Sequence, residues 1–127
     1  MAVKPQVDTF WNPAGFVQQK YTGDQTADSV SKGMENIKKC AAKKLEKNQP
    51  LLILIDITEL GRTDSASHSA GIKGIKSMDF ERAAVYGPLQ AQVLVNTLVL
   101  VAGKKNRMRA FSDRSDAVKW LLGRSGG

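Results

Sequence analysis

The chain is poor in the residues that most often carry chemistry, with one cysteine, Cys40, and one histidine, His68, among 127 residues. A lone thiol cannot close an internal disulfide. One residue of each kind, on separate predicted helices, falls short of the ligand set of a structural zinc site. No apolar run approaches the roughly 20 residues of a membrane-crossing helix, and no secretory apolar segment follows Met1. Gly-x-Gly-x-x-Gly, Walker and Gly-x-Ser-x-Gly patterns are missing, which removes the sequence basis for dinucleotide, P-loop and α/β-hydrolase chemistry. Internal repeats and low-complexity tracts are missing as well. A single soluble, cytoplasmic domain over residues 1–127 is expected, with no cofactor and no metal, and long enough to bury a core without staples. The Ser125-Gly126-Gly127 ending reads as a frayed tail.

Negative charge is also scarce, with 12 acidic against 19 basic residues and a net charge of +7. The excess falls in two places. Lys38, Lys39, Lys43, Lys44 and Lys47 form the solvated face of a predicted helix, where cations near the carboxyl end suit the macrodipole. Lys104, Lys105, Arg107 and Arg109 cluster in a later turn and strand start. Aromatic residues are not interleaved with either group as a base-stacking platform requires, so nucleic acid is not the expected partner.

What the chain does have is one continuous apolar run. Leu51-Leu52-Ile53-Leu54-Ile55, ending at Asp56, has no solvent face and reads as the central strand of a parallel sheet covered on both sides. Asp56 is expected at its carboxyl end, where ligands gather in open α/β sheets. Before it, Asn12-Pro13-Ala14-Gly15 is turn chemistry between two β-prone pieces, predicting an N-terminal hairpin over residues 5–23. Thr26 can cap a helix with an inward stripe of Val30, Met34, Ile37, Ala41 and Leu45, ending near Asn48-Gln49-Pro50.

Beyond the central strand, residues 57–62 read as a loop. Thr63 or Asp64 then caps a helix facing inward through Ala66, Ala70, Gly71, Ile72, Gly74, Ile75 and Met78. A strand follows at Arg82–Gly87, then a helix from Pro88 to Gly103 that is apolar nearly all round and is assigned to the core rather than to lipid. A last strand at Met108–Phe111 leads to a helix capped by Ser112 or Asp113, with Ala117, Trp120 and Leu121 inward. The fold class is therefore α/β, with a mostly parallel sheet of four to five strands, an N-terminal antiparallel hairpin, and right-handed crossovers placing helices on both faces.

The segment Asp56 to Ser69 is dense in hydroxyl and acidic groups, and the candidate partner- or ligand-binding residues are Asp56, Thr58, Thr63, Asp64, Ser65 and Ser67. Near a helix N-terminus, Ser65 and Ser67 are candidate phosphoacceptors, and equally are caps for free N-H groups. An anionic ligand would meet Thr58, Asp64 and Ser65 there. Asp64, Ser65 and His68 lie on one helical turn without an oxyanion hole, so hydrolysis is not expected; Asp64 and His68 can pair at i, i+4 spacing. Gly71-x-x-Gly74 reads as helix packing, and Cys40 as a partly buried, inert thiol.

Leu54-Ile55-Asp56-Ile57-Thr58 followed by Thr63-Asp64-Ser65 resembles the signature of the STAS domain, the fold of the anti-sigma-factor antagonist SpoIIAA. Residues 80–87 and 111–121 are more similar to its divergent SpoIIAA-like branch, grouped with STAS and CRAL-TRIO-like domains. The resemblance implies a non-enzymatic regulatory or binding domain with a protein partner. CRAL-TRIO kinship implies the alternative of a small-ligand carrier, with a lipid-like molecule against the helix around Val93 to Val101. Antagonists that switch by phosphorylation carry Asp-Ser-Ser-Gly with the phosphate on the second serine. Here Asp64 and Ser65 match the first two positions, but Ala66 occupies the acceptor position and Ser67 the glycine position.

Overall fold

The computed structural model describes residues 4–123, and the tail expected at 125–127 lies outside them. Strands β1 (Gln6–Asn12), β2 (Phe16–Gly23), β3 (Leu52–Leu60), β4 (Arg82–Tyr86) and β5 (Met108–Phe111) form one five-stranded sheet in the order β1-β2-β3-β4-β5. The first pair is antiparallel and the rest are parallel. The hairpin turns as its residues dictate: Asn12 Oδ1 accepts from Ala14 N at 2.8 Å, and Gly15 supplies a φ of 109° that a side chain would resist.

Helices α1 (Ala27–Lys44), α2 (Ser65–Ser77) and α3 (Leu89–Ala102) each cross from one parallel strand to the next. Because the strand order is sequential, crossovers of one hand place all three on the same face. Helices do cover both faces, as expected, but the crossovers supply only one of them. Only α4 (Arg114–Leu121), which follows the last strand and carries no crossover, packs on the other side.

The strand alternation sorts the core accordingly. Val17, Tyr21, Ile53, Ile55, Ile57, Ala83, Val85 and Met108 point toward α1 to α3. Phe16, Leu54, Ala84 and Tyr86 point toward Ala117 and Leu121 of α4. Leu54 is fully enclosed (0 % exposed), and truncating such a residue to alanine costs about 2–5 kcal/mol. The buried Gln19 is held by its amide, which donates to Gly33 O at 2.7 Å and Thr9 Oγ1 at 2.9 Å, linking β2 to α1 and β1.

Two boundaries differ from the sequence reading. Helix α1 stops at Lys44 rather than near Asn48, with Leu45 as its extended cap; Gln49 Oε1 then accepts from Glu46 N at 3.0 Å, and Asn48 takes a φ of 68°. Strand β3 runs on through Leu60, over residues expected to be a loop. A register shift against β2 accommodates it: Lys20 faces Asp56, but Thr22 faces Glu59. The extra residue is a β-bulge, which reverses the faces of everything after it. Glu59 therefore lands beside Lys20 and forms an ion pair with it. The remaining helix starts follow the sequence: Thr26, Asp64 and Asp113 are the caps of α1, α2 and α4.

Candidate functional site

The residues between Asp56 and Ser67 are held by two separate hydrogen-bond networks. The sheet divides them.

Asp56 lies where the β3–β4 ladder ends, opposite Tyr86, while β3 continues beside β2. Its side chain alternates with Leu54 and so turns toward the α4 face. Oδ1 accepts from Thr58 N at 2.8 Å and Thr58 Oγ1 at 2.6 Å, and Oδ2 accepts from Tyr86 Oη at 3.1 Å. The carboxylate thus braces the bulge and the end of β4. The Tyr86 hydroxyl is pushed up to about 12 by its burial, then by the charge of Asp56 and the hydrogen bond to it, with Arg114 pulling the other way. Arg114 also donates to Gln18 Oε1 at 3.4 Å. Tyr86 as the partner of Asp56, and Arg114 as a neighbour of Tyr86, were not readable, since they come from separate elements.

Thr63, Asp64, Ser65 and Ser67 sit on the side of α1 to α3. The segment before them is held to the β2–α1 junction: Gly61 N donates to Gly23 O at 2.8 Å, Arg62 N to Asp24 Oδ1 at 2.8 Å, and Gln25 N to Arg62 O at 2.9 Å. A Cβ at Gly61 would lie 2.8 Å from the Gly23 carbonyl carbon and 2.9 Å from Asp24 N, so only glycine permits this approach. Asp64 then caps α2. Its Oδ1 accepts from Ser67 N at 2.8 Å, and Asp64 N donates to Ser67 Oγ at 2.9 Å, completing a capping box. The amide of Ser67, then its hydroxyl, hold the Asp64 carboxyl below the usual carboxylate range.

This geometry separates the two candidate serines. Ser67 is buried (3 % exposed) and its hydroxyl also donates to Asp64 O at 2.9 Å, whereas Ser65 is exposed at the first helical position. Ala66, expected to face inward, is exposed instead, and Ser67 takes the inward place. His68 Nε2 shares a 2.7 Å hydrogen bond with Thr63 Oγ1, not with Ser65. Cys40 is half-buried, which pushes its thiol up against the opposing pull of Lys44 and Lys43. Among the described residues, no three of His, Cys, Asp and Glu come together as a metal set.

Behind Thr63 and Ser67 lies a cavity of about 90 Å³ between α1, α2, α3 and the sheet. Its walls are chiefly Val30, Met34, Ile55, Ile75, Leu94 and Leu98. Thr63, Ser67, His68 and Gln25 supply the polar contribution. Gly71 opens its wall: a Cβ there would meet nothing closer than Leu98 Cδ1 at 3.6 Å. Tyr21 also lines it, and burial pushes the Tyr21 hydroxyl well above its ordinary value. That hydroxyl lies against Gly33, with no protein partner among the described residues.

No protein-family model matches the sequence, and no curated protein matches it. One solved structure, an uncharacterized protein of the DUF3478 family with a SpoIIAA-like fold from Shewanella loihica PV-4, superposes over 95 % of this chain and 98 % of its own, with a TM-score of 0.63 and 22 % identity. The fold is SpoIIAA-like. Within this SpoIIAA-like frame the chain carries a bulged β3, a capped α2 and a cavity beneath α3. Among the described residues no helix is long and apolar enough to cross a membrane.

Proposed function

We propose that this SpoIIAA-like domain is a non-enzymatic binding protein that holds a small, largely apolar ligand between α1, α2 and α3. The observation that carries the reading is the cavity: apolar walls with a few polar groups near one another are the usual make-up of a small-molecule site. At about 90 Å³ it is smaller than the engineered apolar cavity of about 150 Å³ that takes up benzene, so it suits a very compact ligand or the end of a longer chain. Thr63 and His68 would orient a single polar group. Catalysis is not part of the reading, because the Asp64 carboxylate is engaged in the α2 cap and His68 pairs with Thr63 rather than with an exposed nucleophile.

The test is intact mass of the protein isolated from its own host, under native and then denaturing conditions. An added mass lost on denaturation supports the ligand. A bare chain in both spectra, at a concentration where the fold is intact, overturns it.

A second reading is favoured by the exposed Ser65 beside Asp64 on a loop tied down at Gly61 and Arg62. A rigid, polar tip of this kind loses little freedom on docking, so it suits a protein partner. A phosphate that survives denaturation and maps to Ser65 would support a regulatory switch displaced from the Ala66 position. Unchanged partner capture by a folded Asp64→Ala/Ser65→Ala variant would remove the surface from consideration.

A further inference from the structure

Helix α3 contains no charged residue, and its outward side carries exposed apolar residues interspersed with the uncharged polar Gln90, Asn96 and Thr97. Ala91, Val99 and Ala102 are buried, and Leu94, Val95 and Leu98 pack partly against the cavity. On the outward side Leu89 is 72 % exposed, Val93 58 %, Leu100 63 % and Val101 59 %. Large apolar side chains grouped on the outside of a folded domain mark an interaction surface. Helix α3 is enclosed on one side only: its assignment to the core holds for Ala91, Val99 and Ala102 but not for the outward residues.

Past its left-handed cap at Gly103, the chain runs directly into Lys104, Lys105, Arg107 and Arg109. Lys104 and Arg107 donate to the neutral carbonyls of Met78 and Phe80, so their charge is not cancelled. The ion pairs among the described residues are Lys20 with Glu59 and Lys32 with Asp28, and neither touches this cluster. Lys105 and Arg109 line one surface groove with Asn96, Leu100 and Trp120, so the positive charge borders the outward apolar stripe itself.

We propose that α3 is a docking surface for an anionic lipid bilayer, lying flat in the headgroup boundary with Leu89, Val93 and Leu100 inserted and Lys105 and Arg109 on the phosphates. Charge selects this occupant. A second copy of a chain with net charge +7 would bring another basic cluster to the same face, whereas an anionic membrane complements both the stripe and its border. The length fits as well: 14 residues extend about 21 Å, short of the roughly 30 Å hydrocarbon thickness, so the helix lies on the surface and does not span. The inference goes beyond the cavity reading and does not depend on it, since it rests on the outward side of α3 and the basic groups next to it.

The experiment is co-flotation of the full chain with vesicles of phosphatidylcholine alone or mixed with phosphatidylglycerol, at low and high salt. Binding is expected on the mixed vesicles only, and is expected to weaken with salt. Leu100→Glu, an exposed change that leaves the circular dichroism intact, is expected to reduce binding by about tenfold or more. Lys105→Gln is expected to reduce it about fivefold. Absence of flotation with anionic vesicles overturns the proposal, as does equal binding by Leu100→Glu. So does a concentration-dependent dimer, seen by sedimentation without vesicles and abolished by Leu100→Glu, because it would assign the stripe to a second copy.

Discussion

Gly71 and Gly74 lie three residues apart among the buried positions of α2, and the same substitution is expected to move stability in opposite directions at each. Alanine gains about 1 kcal/mol over glycine in a helix interior at both positions. At Gly71 the new Cβ would sit 3.6 Å from Leu98 Cδ1 and 3.9 Å from Val30 Cγ1, ordinary contact at the cavity wall. Burying that methyl adds about 0.8 kcal/mol. Gly71→Ala should therefore stabilise the domain by about 1–2 kcal/mol. At Gly74 the Cβ would collide with Met34 Cγ and lie 2.9 Å from its Sδ and 3.1 Å from its Cβ. A methionine tip can bend away, but its Cβ is fixed by the backbone of α1, so overpacking of about 1–3 kcal/mol meets or exceeds the helix gain. Urea denaturation followed by circular dichroism separates the cases. The two variants should differ by about 1–4 kcal/mol, which at a slope of about 1–3 kcal/mol per M separates their midpoints by between about 0.3 and 4 M. Destabilisation by Gly71→Ala would refute the open wall, and equal stabilisation at both positions would refute the seating of Met34 on α2. Under the ligand reading, Gly71→Ala also reduces the noncovalent mass recovered with the protein while stability rises, the usual conflict between packing and binding.

The chain has two tyrosines, so in a Tyr21→Phe background the near-ultraviolet absorbance titration reports Tyr86 alone. Its midpoint should lie near 12. Because the folded value is raised, the associated stability is whole below about 10, the unfolded value, and is lost as pH climbs through the folded one. Asp56→Asn should lower the midpoint without returning it to the ordinary value, since burial is the leading cause; an unchanged midpoint would contradict the pairing. Asp64 carries the opposite sign: its folded value is depressed, so protection of the first α2 amides from hydrogen exchange should persist above about pH 4 and fall as pH drops below it. Protection that ignores pH, or Asp64→Ala, would argue against the cap. At Gly33 a Cβ would lie 2.7 Å from Tyr21 Oη, so Gly33→Ala is expected to destabilise the wild type by up to about 2 kcal/mol and to be better tolerated with Tyr21→Phe. Strict additivity in that double-mutant cycle would mean the hydroxyl is not the obstacle.

Local chemistry made much of the fold legible. Turn residues at Asn12–Gly15, the caps Thr26, Asp64 and Asp113, and the unbroken run before Asp56 each specify their element without reference to the rest. The boundary of β3 was not legible, because a bulge at Ile57-Thr58 interrupts the alternation that marks a strand. Alternation from Leu54 already implied that Asp56 turns away from α2, but hydroxyl density along 56–69 gave no sign that its residues divide between two faces of the sheet. At α2 the small residues Ala66, Ser67, Ala70 and Gly71 left the inward direction free to differ by one residue. For α3 the difficulty was deeper: a helix without charged residues carries no pattern to say which side meets solvent. Tyr21 and Gln25 belong to the cavity through the packing of α1 over β2, which no local motif announces.

The strand order β1-β2-β3-β4-β5 also bears on how the chain is made. As the ribosome releases it from the amino end, each new strand emerges when its hydrogen-bonding neighbour has already been synthesised. No strand must wait for a later one to create its slot, and none has to be inserted between two that are already paired. Assembly can proceed as vectorial growth from the hairpin outward, with α4 closing the second face last. A SpoIIAA-like chain of this order should therefore tolerate slow or paused translation after any complete strand-helix unit.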